Sequence, residues 1–174
     1  MNTADEEFKR LFRGANVFER EMVETKLASF LRVYPDCVPA LRLRGHMLDY
    51  EVMLEQSQDV DVDPFDPRVQ LIRSSYESAL QADPYCIGAA IDLGDYWSDL
   101  AKDPERAIEY YDRAILLLKS GQCTEDRESE LIDAYKGKIQ ALIALNRNDA
   151  AVDCRKQAMA DGCTDEIADL KDQD

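Results

Sequence analysis

Residues 91–121 read IDLGDYWSDLAKDPERAIEYYDRAILLLKSG, and the fold is decided here. Ala107, Ile108, Tyr111, Ala114, Ile115 and Leu118 recur at the spacing of one helical face. Upstream, Leu93-Gly94 is followed three residues on by Trp97, and then by a short turn at Asp103-Pro104. Proline suits a first helical turn, where its missing N–H is not needed, and the aspartate before it suits an N-cap. Gly94 and Ala107 lack bulk, so two helices can approach closely there. Trp97 and Tyr111 are large enough to fill the space between them. The stretch predicts a helix–turn–helix hairpin.

The hairpin recurs. SSYESALQADP (74–84) superposes on EYYDRAILLLKSG (109–121) with a shift of 35, pairing Tyr76 with Tyr111, Ala79 with Ala114 and Leu80 with Ile115. This pattern resembles the tetratricopeptide repeat, a helix–turn–helix unit of about 34 residues. That family has Leu-Gly and a bulky residue on its first helix, small residues and an aromatic on its second, and a closing Pro. Leu93, Gly94, Trp97, Ala107, Tyr111 and Ala114 match it with one extra residue in the turn, and Gly121 stands near the closing position.

The flanking units depart further from the pattern. In 38–84, a first helix over 38–56 has Gly45 in place but Arg44 where Leu belongs; the second helix, 67–82, ends in Asp83-Pro84. An acidic insertion, 56–66, separates the two. In 127–162, Lys138 and Ile139 stand for Leu-Gly and Arg155 for the aromatic, while Ala151 and Ala158 fit. The linker before this unit, about 119–126, is longer than usual. Residues 5–34 read as a degenerate opening pair, with a short first helix around Phe8, Leu11 and Phe12 and a closure at Tyr34-Pro35. Residues 163–174 read as an acidic capping helix that frays into a tail.

Periodicity supports helices independently of any family. Val69, Ile72, Tyr76, Ala79 and Leu80 form one stripe, and Leu131, Tyr135, Leu142 and Leu145 a sparser one. Asp66 before Pro67 repeats the arrangement of Asp103 before Pro104. The expectation is an all-α single domain: a short right-handed α-solenoid of about eight helices in antiparallel pairs, each burying its apolar face on the next.

Composition agrees and narrows the function. The 174 residues are 45% hydrophobic, enough for a core, with only 7 Gly and 6 Pro to interrupt helices. Thirty-six acids against 21 bases give a net charge of −15, which opposes binding to nucleic acid phosphates. No apolar run approaches the ~18 residues of a membrane span. The start, MNTADEEFKR, lacks the apolar core of a secretion signal, and together with five cysteines this suggests a reducing, cytoplasmic location.

Chemistry is hard to find. Cys37, Cys86, Cys123 and Cys163 each follow a helix-stopping residue, at intervals of 49, 37 and 40, which reads as small residues packing at successive hand-overs. No C-x-x-C occurs and His46 is the sole imidazole, so zinc spacing is absent. Asp59, Asp61, Asp63 and Asp66 begin like a calcium loop, but Pro64 replaces the required Gly and Gln70 the closing Glu. Neither phosphate-cradling glycine motif is present. The chain is expected to be no enzyme and to hold no metal or cofactor.

The resemblance implies a concave groove lined by first helices. Carried over by position, its residues are Arg42, His46, Asp49 and Tyr50; then Ile91, Asp95, Ser98 and Asp99; then Asp133, Lys136, Gln140 and Ile143. One branch of the family grips acidic chaperone tails with basic side chains. Asp92, Asp95 and Asp99 oppose that here, although Arg42 and Lys136 each suit one acidic group. The acidic stripe favours a basic or mixed-charge partner polypeptide, unless Lys102 and water merely neutralise it. The alternatives are a structural homo-oligomer, or a dedicated chaperone or inhibitor of a basic protein.

Overall fold

The computed structural model describes residues 3–13, 20–58, 62, 63, 65–121, 126–163 and 167. Eight α-helices run through them: α1 (Thr3–Phe12), α2 (Arg20–Val33), α3 (Val38–Gln56), α4 (Pro67–Ala82), α5 (Ile87–Asp95), α6 (Pro104–Lys119), α7 (Arg127–Ala144) and α8 (Asn148–Ala160). A π-helical turn, Tyr96–Leu100, continues α5. No strand occurs among the described residues. The protein is all-helical, and it divides into two compact units, Met1–Pro84 and Tyr85–Asp174.

In the first unit α3 packs chiefly on α4, and also against α1 and α2. Phe8 and Phe12 stack at 4.9 Å between ring centroids, and each meets Phe30 of α2 at 5.9 Å. The expected stripe of α4 is buried throughout, from Val69 to Leu80. Gly45 lets α3 lie against the Tyr76 ring, with which any Cβ at this position would collide. Asp66 caps α4 as its sequence suggests, accepting the Arg68 N–H at 2.7 Å. The Arg68 guanidinium then bonds both Asp66 (2.7 Å) and Glu55 near the end of α3 (2.5 and 3.0 Å). The base of the insertion is thereby fastened from both sides.

In the second unit α6 packs on α5 and α7, α7 packs on α8, and α5 also touches α7. Tyr111, from α6, has its ring against Gly94 of α5 and Gly137 of α7. Ala107, Ala114, Ile115 and Leu118 are buried beside it, while Ile108 is half-buried. Asp103 caps α6 through the Arg106 N–H at 3.2 Å. The expected capping helix at 163–174 lies outside the described residues, except that Cys163 and Ile167 are buried.

The extra residue expected in the α5–α6 turn is absorbed inside the helix instead. Ala101 N–H reaches back five residues to the Tyr96 carbonyl (3.0 Å), and Asp103 N–H reaches six, to Trp97 (2.7 Å). A single-turn π-bulge is the usual way for a helix to accommodate such a residue. The α7–α8 turn has no extra residue and closes as a Schellman motif, with Arg147 N–H to Leu142 (2.9 Å) and Asn146 N–H to Ile143 (2.8 Å). The α8 end closes likewise through Gly162, whose φ is +99°.

These turns require a left-handed residue, and Lys102 supplies one at φ +54° where the equivalent Asn146 sits at +55°. Asparagine tolerates that conformation, whereas an ordinary L side chain costs about 1–2 kcal/mol. Lys102→Gly is therefore expected to stabilise the protein by about 1 kcal/mol, raising its melting temperature by roughly 2–4 °C. A thermal melt showing a fall would mean that the turn does not bear this strain.

Candidate functional site

The twelve residues carried over as a groove fall on three helices in two units. Arg42, His46, Asp49 and Tyr50 lie on α3 in the first unit, with His46 and Tyr50 exposed. The His46 ring sits 5.7 Å from that of Tyr76. The other eight lie in the second unit on α5, its π turn and α7, which pack against one another. Asp95, Asp99, Asp133 and Gln140 are exposed there, and Ser98, Lys136 and Ile143 half-buried. Ile91 differs from its expected role. At 8% exposure it belongs to the core, because an isoleucine on this short helix has more apolar area to bury than to offer.

Asp95 also proves to have a partner inside the fold. The Tyr111 ring is buried, and its hydroxyl donates to Asp95 Oδ1 at 2.7 Å. Burial pushes the Tyr111 pKa well above the usual tyrosine range, and the carboxylates of Asp95 and Asp99 push the same way. Tyr111 is thus a permanent neutral donor at ordinary pH, and Asp95 is what satisfies it. Leaving a buried hydroxyl unpaired would cost about 1–3 kcal/mol.

Asp161, at the C-cap of α8, plays a similar part. It accepts the Tyr135 hydroxyl at 2.5 Å and the Lys119 ammonium at 2.7 Å. Lys119 foremost, and then Tyr135, hold its carboxyl below the usual aspartate range. Nothing local in the sequence marks Asp161, because both partners come from other helices.

Asp99 stands apart from these. It is exposed in the π turn and makes no ion pair among the described residues, and neither does Lys102. Other acids of the unit are engaged: Asp112 with Lys138 at 2.6 Å, and Glu105 with Arg147 at 2.6 and 3.1 Å. Lys102 thus makes no direct ion pair with Asp99. Trp97 beside it is buried in the core with Arg106 stacked over its ring at 4.4 Å.

No family model matches the chain, and no curated protein matches it.

Among the described residues, no group of three or more His, Cys, Asp or Glu could hold a metal ion. Asp59 and Asp61 of the candidate calcium loop, with Pro64, lie outside them. Of the other two carboxylates, Asp63 accepts the Phe65 N–H at 2.8 Å and Asp66 is occupied by its cap and Arg68. Cys37 and Cys86 take the N-cap positions of α3 and α5 without a side-chain cap bond. Burial raises the pKa of the Cys37 and Cys154 thiols, keeping both protonated and unreactive. Cys123 is outside the described residues. No helix among these residues is long and apolar enough to cross a membrane.

Proposed function

We propose that this chain is a non-enzymatic interaction module of tetratricopeptide type, a short right-handed solenoid that binds a partner polypeptide of basic or mixed charge along its first helices. The repeat reading is supported by the recurrence of one close approach: glycine on a first helix against tyrosine on the second, at Gly45–Tyr76 and again at Gly94–Tyr111. The binding reading is carried by Asp99, an acid exposed in the π turn after α5 and without an ion pair among the described residues. An unneutralised acid attracts a cationic side chain and governs selection more than affinity.

The test uses a fluorescein-labelled peptide alternating lysine and leucine, with anisotropy read over a salt series. Asp99→Asn is expected to weaken binding about threefold and to flatten its salt dependence. Asp95 is left intact, since changing it would also disturb Tyr111. Unchanged affinity and slope would remove the electrostatic part of the proposal.

A homo-oligomer is the alternative, and one observation favours it: Tyr50, Met53 and Leu54 are all exposed along the second half of α3. Light scattering after size exclusion separates the two. A concentration-independent dimer would favour assembly, and a monomer the binding of another chain.

A further inference from the structure

We propose that a cleft in the first unit, between α2 and the Arg44 face of α3, is a docking site for an acidic side chain flanked by apolar ones in a partner polypeptide. It is a separate site from the acidic end of α5 and stands without it.

The cleft measures about 430 Å³, a size common among ligand pockets. Ala28 and Leu31 of α2, Met47 and Leu48 of α3, and Leu71 of α4 give it apolar walls. At 3.6 residues per turn, Arg44, Met47 and Leu48 project from the opposite side of α3 to Arg42, His46, Asp49 and Tyr50. The two faces of α3 are therefore distinct surfaces.

Arg44 stands where the repeat pattern has leucine, and its environment is not that of a solvated surface base. It is half-buried, and its Nε donates to Ser75 Oγ at 2.8 Å. Ser75 is itself wholly buried and in turn donates to the Leu71 carbonyl at 2.5 Å. This bond fixes one edge of the guanidinium and leaves the two Nη groups without an acid partner among the described residues. Burial alone lowers the Arg44 pKa, with no neighbouring carboxylate acting on it.

The charge balance of the cleft points outward. The one acid among its described lining residues, Glu24, is already bonded by Arg20 Nε at 2.8 Å. A second base on its wall, Arg32, bonds only the Ser29 hydroxyl, at 3.2 Å. Among the described residues two guanidinium groups thus lack acids, in a chain whose net charge is −15. A half-buried charge without a counter-charge is unfavourable for folding, and an incoming carboxylate relieves that. Arginine also suits the task, since its planar donors can grip both oxygens of a carboxylate. The apolar walls require more than a bare anion, and a leucine on either side of the acid would cover them.

The test is an NMR titration of the whole chain, labelled to show methionine methyls and arginine Nε. The probes are the blocked peptide N-acetyl-Leu-Glu-Leu-amide, its Gln counterpart and sodium acetate. The Glu peptide is expected to give saturable shifts at Met47 and Arg44. The Gln peptide should bind about tenfold more weakly, having lost a charge-assisted bond, and acetate should leave Met47 unmoved. Arg44→Met should abolish the response while melting no lower than the native chain; Arg32→Gln, at an exposed position, should weaken it in a fold that is undisturbed. The proposal is overturned if Met47 does not shift up to millimolar peptide, if Glu and Gln peptides bind alike, if acetate reproduces the shifts, or if Arg44→Met still binds.

Discussion

Truncating Tyr111 to alanine is expected to destabilise the second unit by about 3–5 kcal/mol, the cost of removing a large buried aromatic. Its ring is 1% exposed and lies between Gly94 and Gly137 on two other helices. Neither glycine has a side chain that could rotate into the vacated space. The loss is a large share of the 5–15 kcal/mol that typically holds a domain together, and corresponds to a fall of roughly 6–20 °C in melting temperature. The converse change is also unfavourable. A Cβ added at Gly94 would approach a Tyr111 ring carbon to 2.5 Å, an overpacking worth about 1–3 kcal/mol. Alanine's better helix propensity returns about 1 kcal/mol of that. Tyr111→Leu should make room for Gly94→Ala, so the double variant should cost at least about 1 kcal/mol less than the two singles summed. Urea denaturation followed by the single tryptophan, Trp97 in the same unit, measures all four proteins. Strict additivity would show that ring and glycine do not press on each other.

Where the sequence could be read correctly, the signal was local. Asp66-Pro67 and Asp103-Pro104 start helices because cap and proline act on the backbone of their own turn, and both helices begin there. The stripe Val69–Ile72–Tyr76 is legible because burial selects for period, whatever lies opposite. Partners in space were harder. Gly137 carries no signal of its own, because the repeat pattern puts Lys138 and Ile139 in the Leu-Gly places of the third unit. The glycine two residues before Ile139 serves the preceding tyrosine, not its own pair. The same blindness made Asp95 a groove acid only, since nothing in its spacing discloses that the Tyr111 hydroxyl ends beside it. The π turn was invisible for another reason: one surplus residue can widen a helix or lengthen a loop, and only the packing of Trp97 and Leu100 into the core decides between them. Arg44 stood out as a departure from pattern, but its meaning depends on Ser75, which comes from α4 across the insertion.

Alkaline pH is the second large lever. Stability of the second unit is expected to be flat up to about pH 10, the ordinary tyrosine value, and then to fall steeply. The direction follows from linkage. The folded-state pKa of Tyr111 is raised, so the folded state holds its proton where the unfolded chain has given it up. The stabilisation is therefore complete below the unfolded pKa and is lost as pH climbs toward the folded one, at about 1.4 kcal/mol per pH unit for one such group. Tyr135, raised chiefly by burial and then by Asp161, acts in the same direction. Ionising Tyr111 would set a phenolate against the Asp95 carboxylate at hydrogen-bond distance, with the Asp99 carboxylate opposing the same charge. Tyr111→Phe keeps the ring between the two glycines and removes only the ionisable group. It should cost about 0.5–1.5 kcal/mol near neutrality, yet its stability should decline less steeply above pH 10, so that the two curves converge. Lysine discharge and overall repulsion are common to both proteins and cancel in the comparison. Parallel curves from pH 8 to 12 would place Tyr111 in solvent, and would remove the reason for regarding Asp95 as its partner.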